Sequence, residues 1–122
     1  MRDIEFRGKN KCDNMWHYGY LVYVPADNSY KITQGKEISY FVDANTVGQY
    51  TGLKDRFGYK IYEGDILKEC SGDDFGPIEY LEDEGMFALT IDGVICDFAD
   101  VDSKWYEVIG NIYDNPEIVG EE

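Results

Sequence analysis

The chain has 122 residues, 43% hydrophobic and 16% aromatic, enough to bury a core and too apolar for a chain that stays disordered. No apolar run approaches the roughly 20 residues that cross a bilayer, and Met1-Arg2-Asp3-Ile4-Glu5 lacks the make-up of a secretory leader, so a cytoplasmic protein is expected. The net charge of −14 is uneven: residues 1–68 hold ten Lys/Arg against nine Asp/Glu, whereas residues 69–122 hold Lys104 against sixteen acids, a balance that repels nucleic acid and anionic lipid.

Period-two runs between turn residues recur along the chain and helical periodicity is nearly absent, the pattern of half-buried strands. Trp16 to Val24 reads as one long strand with Trp16, Tyr18, Tyr20, Val22 and Val24 on one face. Tyr30 to Thr33 and Glu37 to Val42 flank Gln34-Gly35-Lys36, a connection suited to a hairpin. Asp43-Ala44-Asn45 and Lys54-Asp55-Arg56-Phe57-Gly58 read as turns, with a short extended piece at Val47 to Thr51 between them.

From Gly64 the strand pattern restarts at Asp65 to Cys70, Ile78 to Leu81, Met86 to Ile91, Val94 to Phe98 and Tyr106 to Tyr113. Asp92-Gly93, between Phe87/Leu89/Ile91 and Val94/Cys96/Phe98, is the dipeptide of a two-residue type I′ hairpin. Five short strands joined by tight turns suit a small closed barrel. Ala99 to Trp105 leaves room for one helical turn, and Asn115-Pro116 ends regular structure before an acidic tail through Glu122.

Three blocks carry a resemblance to a known family. They are Phe6-Arg7-Gly8-Lys9 with Trp16 and Tyr18-Gly19-Tyr20-Leu21; Val47-Gly48-Gln49-Tyr50-Thr51-Gly52-Leu53-Lys54-Asp55, Gly58 and Lys60-Ile61-Tyr62-Glu63-Gly64-Asp65-Ile66-Leu67; and Glu107-Val108-Ile109-Gly110-Asn111-Ile112-Tyr113-Asp114-Asn115-Pro116-Glu117. In this order they resemble the YopX family of phages and prophages. The resemblance implies a mostly β fold with an SH3-like barrel in the C-terminal part, and it carries over no catalytic residue. The expected architecture is an antiparallel N-terminal meander over residues 1–60, including the connecting motif, packed on an SH3-like small barrel over residues 61–122.

The chemistry-bearing residues form no familiar pattern. GxxxxGK[ST], GxGxxG, GxSxG and HExxH are absent from the sequence. His17 has no nucleophile or carboxylate at a telling spacing and reads as an ordinary strand position. Cys12, Cys70 and Cys96 are odd in number with no CxxC pair; they read as small hydrophobes in a reducing compartment. Asp92, Asp97, Asp100 and Asp102 miss the calcium-loop pattern and read as solvated turn residues. Arg2, Arg7, Lys9 and Lys11 with Phe6 and Trp16 are the basic and aromatic mixture of a single-strand nucleic-acid surface, a role that the acidic second half opposes.

The expected function is therefore a non-enzymatic protein-interaction or self-assembling module, with a homo-oligomer or a host or phage protein as partner. No cofactor, metal, membrane or small-molecule substrate is expected, and nucleic acid is disfavoured. The candidate interaction surface comprises Tyr50, Tyr62, Glu63, Asp65, Asp73, Asp74, Glu82, Asp83 and Glu84. Two alternatives stand beside it. The acidic part imitates nucleic acid and occupies a host DNA-binding protein, or a cleft between the halves is an enzyme site built on Tyr50, Asp55, Tyr62, Glu63 and Asp65.

Overall fold

The computed structural model describes residues 4–120, which form eleven strands and four short 3₁₀ turns. The strands lie in two antiparallel sheets. By contact density the chain divides into two compact units, residues 1–50 and 51–122.

The first unit is a meander. Strands β1 (Phe6–Lys9), β2 (Trp16–Val24), β3 (Ser29–Gln34) and β4 (Ile38–Val42) pair in sequence, and the opening residues of β5 (Gly48–Lys54) lie against β1, Phe6 opposite Gln49. Directly opposed residues share a face. Leu21 therefore lies beside Ile32, which is fully buried, while Tyr20 and Val22 lie beside Thr33 and Lys31 on the other face. The meander curls so that its last strand returns to its first, with the Asp43 N–H donating to the Lys9 carbonyl at 2.8 Å. Thr46, in the 3₁₀ turn Ala44–Thr46 capped by Asp43, completes this closure by accepting the Lys9 N–H at 2.9 Å.

In the second unit, the later residues of β5 run beside β6 (Lys60–Tyr62), where the Thr51 hydroxyl donates to the Ile61 carbonyl. The second sheet has the order β10 (Val94–Asp97), β9 (Met86–Ile91), β8 (Phe75–Leu81), β7 (Asp65–Glu69), β11 (Tyr106–Asn111). Its core gathers Ile61, Leu67, Ile78, Leu89 and Phe98, all almost fully buried. Burying an aliphatic or aromatic side chain of this size contributes about 1.5–3 kcal/mol, so these five residues dominate the unit's stability.

The unit has the five strands expected of a small barrel, but they do not close. Strands β10 and β11 stand at opposite ends of the order and are not paired with each other. Strand β8 changes partner midway instead: Phe75, Gly76 and Pro77 pair with β7, and Ile78 to Leu81 pair with β9. Gly76 and Pro77 make that corner. A Cβ on Gly76 would stand 1.8 Å from the Thr90 carbonyl oxygen, so only glycine permits the approach. Pro77 carries no N–H and leaves no donor stranded where the sheet bends.

Local turn chemistry follows the residues that supply it. Asp92 and Gly93 both have positive φ, 51° and 79°, as a type I′ turn requires. The segment Ala99 to Trp105 resolves into two 3₁₀ turns, Phe98–Asp100 and Ser103–Trp105, each capped by an aspartate side chain. A last 3₁₀ turn, Pro116–Val119, ends at Gly120. Glu121 and Glu122, part of the expected acidic tail, lie outside the described residues.

Candidate interaction surfaces

The most family-like block folds into a turn-rich brace. In the β5–β6 turn, Asp55 Oδ1 accepts the Phe57 and Tyr59 N–H groups at 2.9 Å each, and Oδ2 accepts the Val108 N–H at 3.0 Å. Asp65 Oδ2 accepts the Tyr62 N–H at 2.8 Å across the β6–β7 turn. Both aspartates are buried, at 3% and 2% exposure. A buried carboxylate held by backbone donors satisfies polar groups that burial would otherwise strand, and both oxygens of Asp55 are engaged in this way.

Gly64 fixes the turn between β6 and β7. It adopts φ +93° and lies against the Tyr113 ring, where an added Cβ would come within 2.9 Å of Cε2. Its N–H donates to the Ile78 carbonyl and its carbonyl accepts the Ile112 N–H, at 2.8 and 2.9 Å. The glycine thus links β8 to the segment following β11.

Next to this link lies an open groove of about 790 Å³. Pro77, Tyr80, Ile112, Tyr113, Pro116 and Val119 give it an apolar lining, and Glu63 and Glu79 add carboxylates. A second hollow of about 440 Å³ shares Pro77 and Val119 with it and is lined also by Asp73, Asp74 and Asp92. Neither lining includes a lysine or an arginine.

These positions divide the residues expected at an interaction surface. Glu63 lines the larger groove; Asp73 and Asp74 line the smaller. Glu82, Asp83 and Glu84 are exposed in the β8–β9 turn. Tyr50, Tyr62 and Asp65 are buried, at 5%, 3% and 2% exposure, and offer no surface to a partner. All three belong to the second of the family-like blocks, and their burial makes them part of the packed interior. Ile112, Tyr113 and Pro116 stand in the third family-like block, but their place with Val119 in a groove wall was not legible, because a strand end and a 3₁₀ turn have no periodicity to reveal it.

The first unit carries a different surface. Tyr18, Tyr20, Val22 and Phe41 share one face of the β2–β3–β4 ladder through the Tyr20–Thr33 and Val22–Lys31–Phe41 rows. All four are exposed, Tyr20 at 68% and Phe41 at 53%. The basic–aromatic cluster nearby is partly internal: Arg7 is buried, with its guanidinium 4.6 Å from the centre of the Trp16 ring, and the Lys9 ammonium is 5.9 Å from the same ring. Arg2 lies outside the described residues.

His17 does have a carboxylate partner, one that the sequence reading overlooked. Its Nε2 is 3.0 Å from Asp13 Oδ2, and its ring stacks on Tyr40 with centroids 3.7 Å apart. The signal was the separation of four residues, which a turn followed by a strand brings together. The Met15 N–H, 2.8 Å from Asp13 Oδ1, holds the Asp13 carboxyl below its ordinary range, and His17 adds to the effect. Cys12 and Cys96 are exposed and Cys70 is half-buried, so the first two do not serve as packed hydrophobes.

Asp97 and Asp102 each use one oxygen to cap a 3₁₀ turn, accepting from Ala99 N–H and Lys104 N–H. Among the described residues no three His, Cys, Asp or Glu side chains converge as metal ligands would. No helix among the described residues is long and apolar enough to cross a membrane.

Comparison with known proteins assigns the family. The crystal structure of protein EF1440 from Enterococcus faecalis matches with a TM-score of 0.63 and 23% sequence identity, over 98% of this chain and 99% of that one. At that identity the likeness is one of fold. No curated protein matches the chain. The family model described as YopX protein matches residues 5–119, nearly the whole chain and all three blocks identified from the sequence, and the chain therefore belongs to the YopX family.

Proposed function

We propose that this chain is a non-enzymatic interaction module made by a phage or prophage, acting in the host cytoplasm and assembling with further copies of itself through the aromatic face of its first unit. The observation that carries this reading is the shared exposure of Tyr18, Tyr20, Val22 and Phe41. Tyrosine and phenylalanine are enriched at the cores of protein interfaces, and an exposed contiguous apolar face tends to mark an association surface. The phage setting is what the family suggests. The internal hydrogen bonds of Asp55 and Asp65 favour this reading over an enzyme, since two of the three acids of the carboxylate-site alternative are engaged in bracing turns and only Glu63 borders a groove. The test is molar mass in solution across a dilution series. A mass above that of one chain that falls on dilution supports the reading; a strict monomer at every concentration, with no partner captured from host lysate, overturns it.

A second reading is favoured by the carboxylates of Asp73, Asp74 and Asp92 around the smaller hollow and of Glu82, Asp83 and Glu84 at the turn that closes the other end of the β8–β9 hairpin. Here the acidic part imitates the charge of nucleic acid and occupies the basic groove of a host DNA-binding protein. Salt-sensitive competition with DNA supports it. Competition that is indifferent to lysine substitutions at Asp73, Asp74, Glu82, Asp83 and Glu84 ends it.

A further inference from the structure

The 790 Å³ groove of the second unit borders a stretch of β8 that has a partner on only one side. Strand β7 pairs with β8 as far as Ile66 opposite Pro77, and Gly64 then donates to the Ile78 carbonyl. Beyond that point no strand among the described residues pairs with that flank of Glu79 to Leu81. On the other flank the same residues pair with β9, Glu79 opposite Ala88 and Leu81 opposite Met86.

The alternation of an antiparallel ladder decides where the peptide groups point, because successive residues turn their N–H and C=O to opposite sides. The Ile78 carbonyl faces Gly64, so the N–H and C=O of Tyr80, two residues on, face the same way. They therefore border the groove that Tyr80 itself lines. A donor and acceptor presented along a strand flank are a template for one more strand.

The rest of the lining specifies the chemistry of that strand. Tyr80, Tyr113, Ile112 and Val119 supply apolar surface, and Glu63 and Glu79 supply carboxylates with no Lys or Arg among the lining residues. Asp73, Asp74 and Asp92 extend the negative lining into the adjoining hollow, again without a cation. An acidic segment would meet like charge along its length. A segment with side chains alternating between apolar and cationic would place one set on the aromatic and aliphatic wall and the other near the carboxylates.

The geometry points to this groove as the docking site for an extended, lysine- or arginine-bearing segment of a partner protein, bound by strand addition along Glu79 to Leu81. The inference rests on the interaction reading only in taking the chain to be a binder, and it uses a different surface from the one assigned to self-association. The probe is a capped peptide alternating lysine and valine, with a glutamate–valine peptide of the same length as control, added to the full chain labelled with ¹⁵N.

Binding of the basic peptide should shift the amides of Glu79, Tyr80 and Leu81 and slow hydrogen exchange at the Tyr80 amide by about tenfold or more as a new hydrogen bond protects it. Glu63→Lys and Glu79→Lys, both on the groove lining, should together weaken binding by about tenfold or more. The glutamate–valine peptide should leave the spectrum unchanged. The assignment is overturned if the two peptides bind alike, if the shifts fall on Glu82 to Glu84 and leave Tyr80 untouched, or if the double variant binds as the natural chain does. A chain that binds the basic peptide yet stays monomeric retains this site and loses the self-association reading. A chain that self-associates and ignores the peptide does the reverse.

Discussion

The Asp55 carboxylate accepts the backbone N–H of Val108 at 3.0 Å, joining residues 53 positions apart in the chain. The bond ties the β5–β6 turn to β11 next to its register shift between Val108 and Gly110. Its other oxygen holds the Phe57 and Tyr59 N–H groups, so one buried side chain satisfies three backbone donors. This accounts for an acid at a position that is 3% exposed.

Replacing Asp55 by alanine should therefore destabilise the protein by about 3 kcal/mol, since hydrogen bonds to a charged group contribute about 1.5–3 kcal/mol each and three partly buried donors would lose their acceptor. Asp55→Asn, which keeps one acceptor oxygen, should cost less. Urea unfolding of the three proteins checks the order; equal midpoints for the natural chain and the alanine variant would remove Asp55 from this role.

Gly64→Ala combines two penalties. The residue sits at φ +93°, and the new methyl would meet the Tyr113 ring at 2.9 Å. A loss of about 1–3 kcal/mol is expected from backbone strain and overpacking. Adding Tyr113→Ala should relieve the clash but not the strain, so the cost of Gly64→Ala should shrink in that background without vanishing, as a double-mutant cycle would measure.

The core separates from the proposed surface by the size of its response. Ile78→Ala, at 1% exposure within the second unit's core, should cost about 2–5 kcal/mol. Tyr20→Lys, on the exposed face, should change stability by no more than about 0.5 kcal/mol at a dilution where the natural chain is itself a single chain, since association adds its own stabilisation. Thermal unfolding of both variants tests the contrast.

Asp13 gives the pH dependence a definite direction. Its carboxyl is held below the ordinary value of 3.8, first by the Met15 N–H and further by His17. Because the folded value is lower than the unfolded one, the stabilisation is present above the unfolded pKa and is lost as pH falls through the folded pKa. The Asp13 carboxyl resonance should titrate below 3.8, and His17→Gln should move the midpoint part of the way up. The stability difference between the natural chain and Asp13→Asn should be present at neutral pH and disappear in strong acid. A midpoint at or above the ordinary value would contradict the assigned hydrogen bonds.

Much of the strand plan was legible because the alternation is long where strands are long. Trp16–Val24 and Met86–Ile91 have the limits that their sequences suggest, and Asp92-Gly93 turns as its φ preferences require. Strand β1, only four residues long and interrupted by Gly8, and strand β6, of three residues, offer too little period to detect. Gly76-Pro77 resembles a turn but serves as a corner inside β8. Alternation also leaves the inward face unspecified: in β2 the aromatic row of Tyr18, Tyr20 and Val22 turns outward, while Leu21 lies next to the buried Ile32. The site was harder still. Asp55 announced its turn, but its bond to Val108 depends on pairing between distant strands. The groove wall at Ile112, Tyr113, Pro116 and Val119 exists only once Gly64 has joined β8 to the end of β11.

The proposed role stands most directly on the mass of the chain in solution, measured by light scattering for the natural protein and for the double variant Tyr20→Lys, Phe41→Lys at matched concentration. The account predicts an assembly of two or more chains for the natural protein and a folded single chain for the variant, with unchanged circular dichroism. The same mass for both proteins, whether one chain or several, would contradict it.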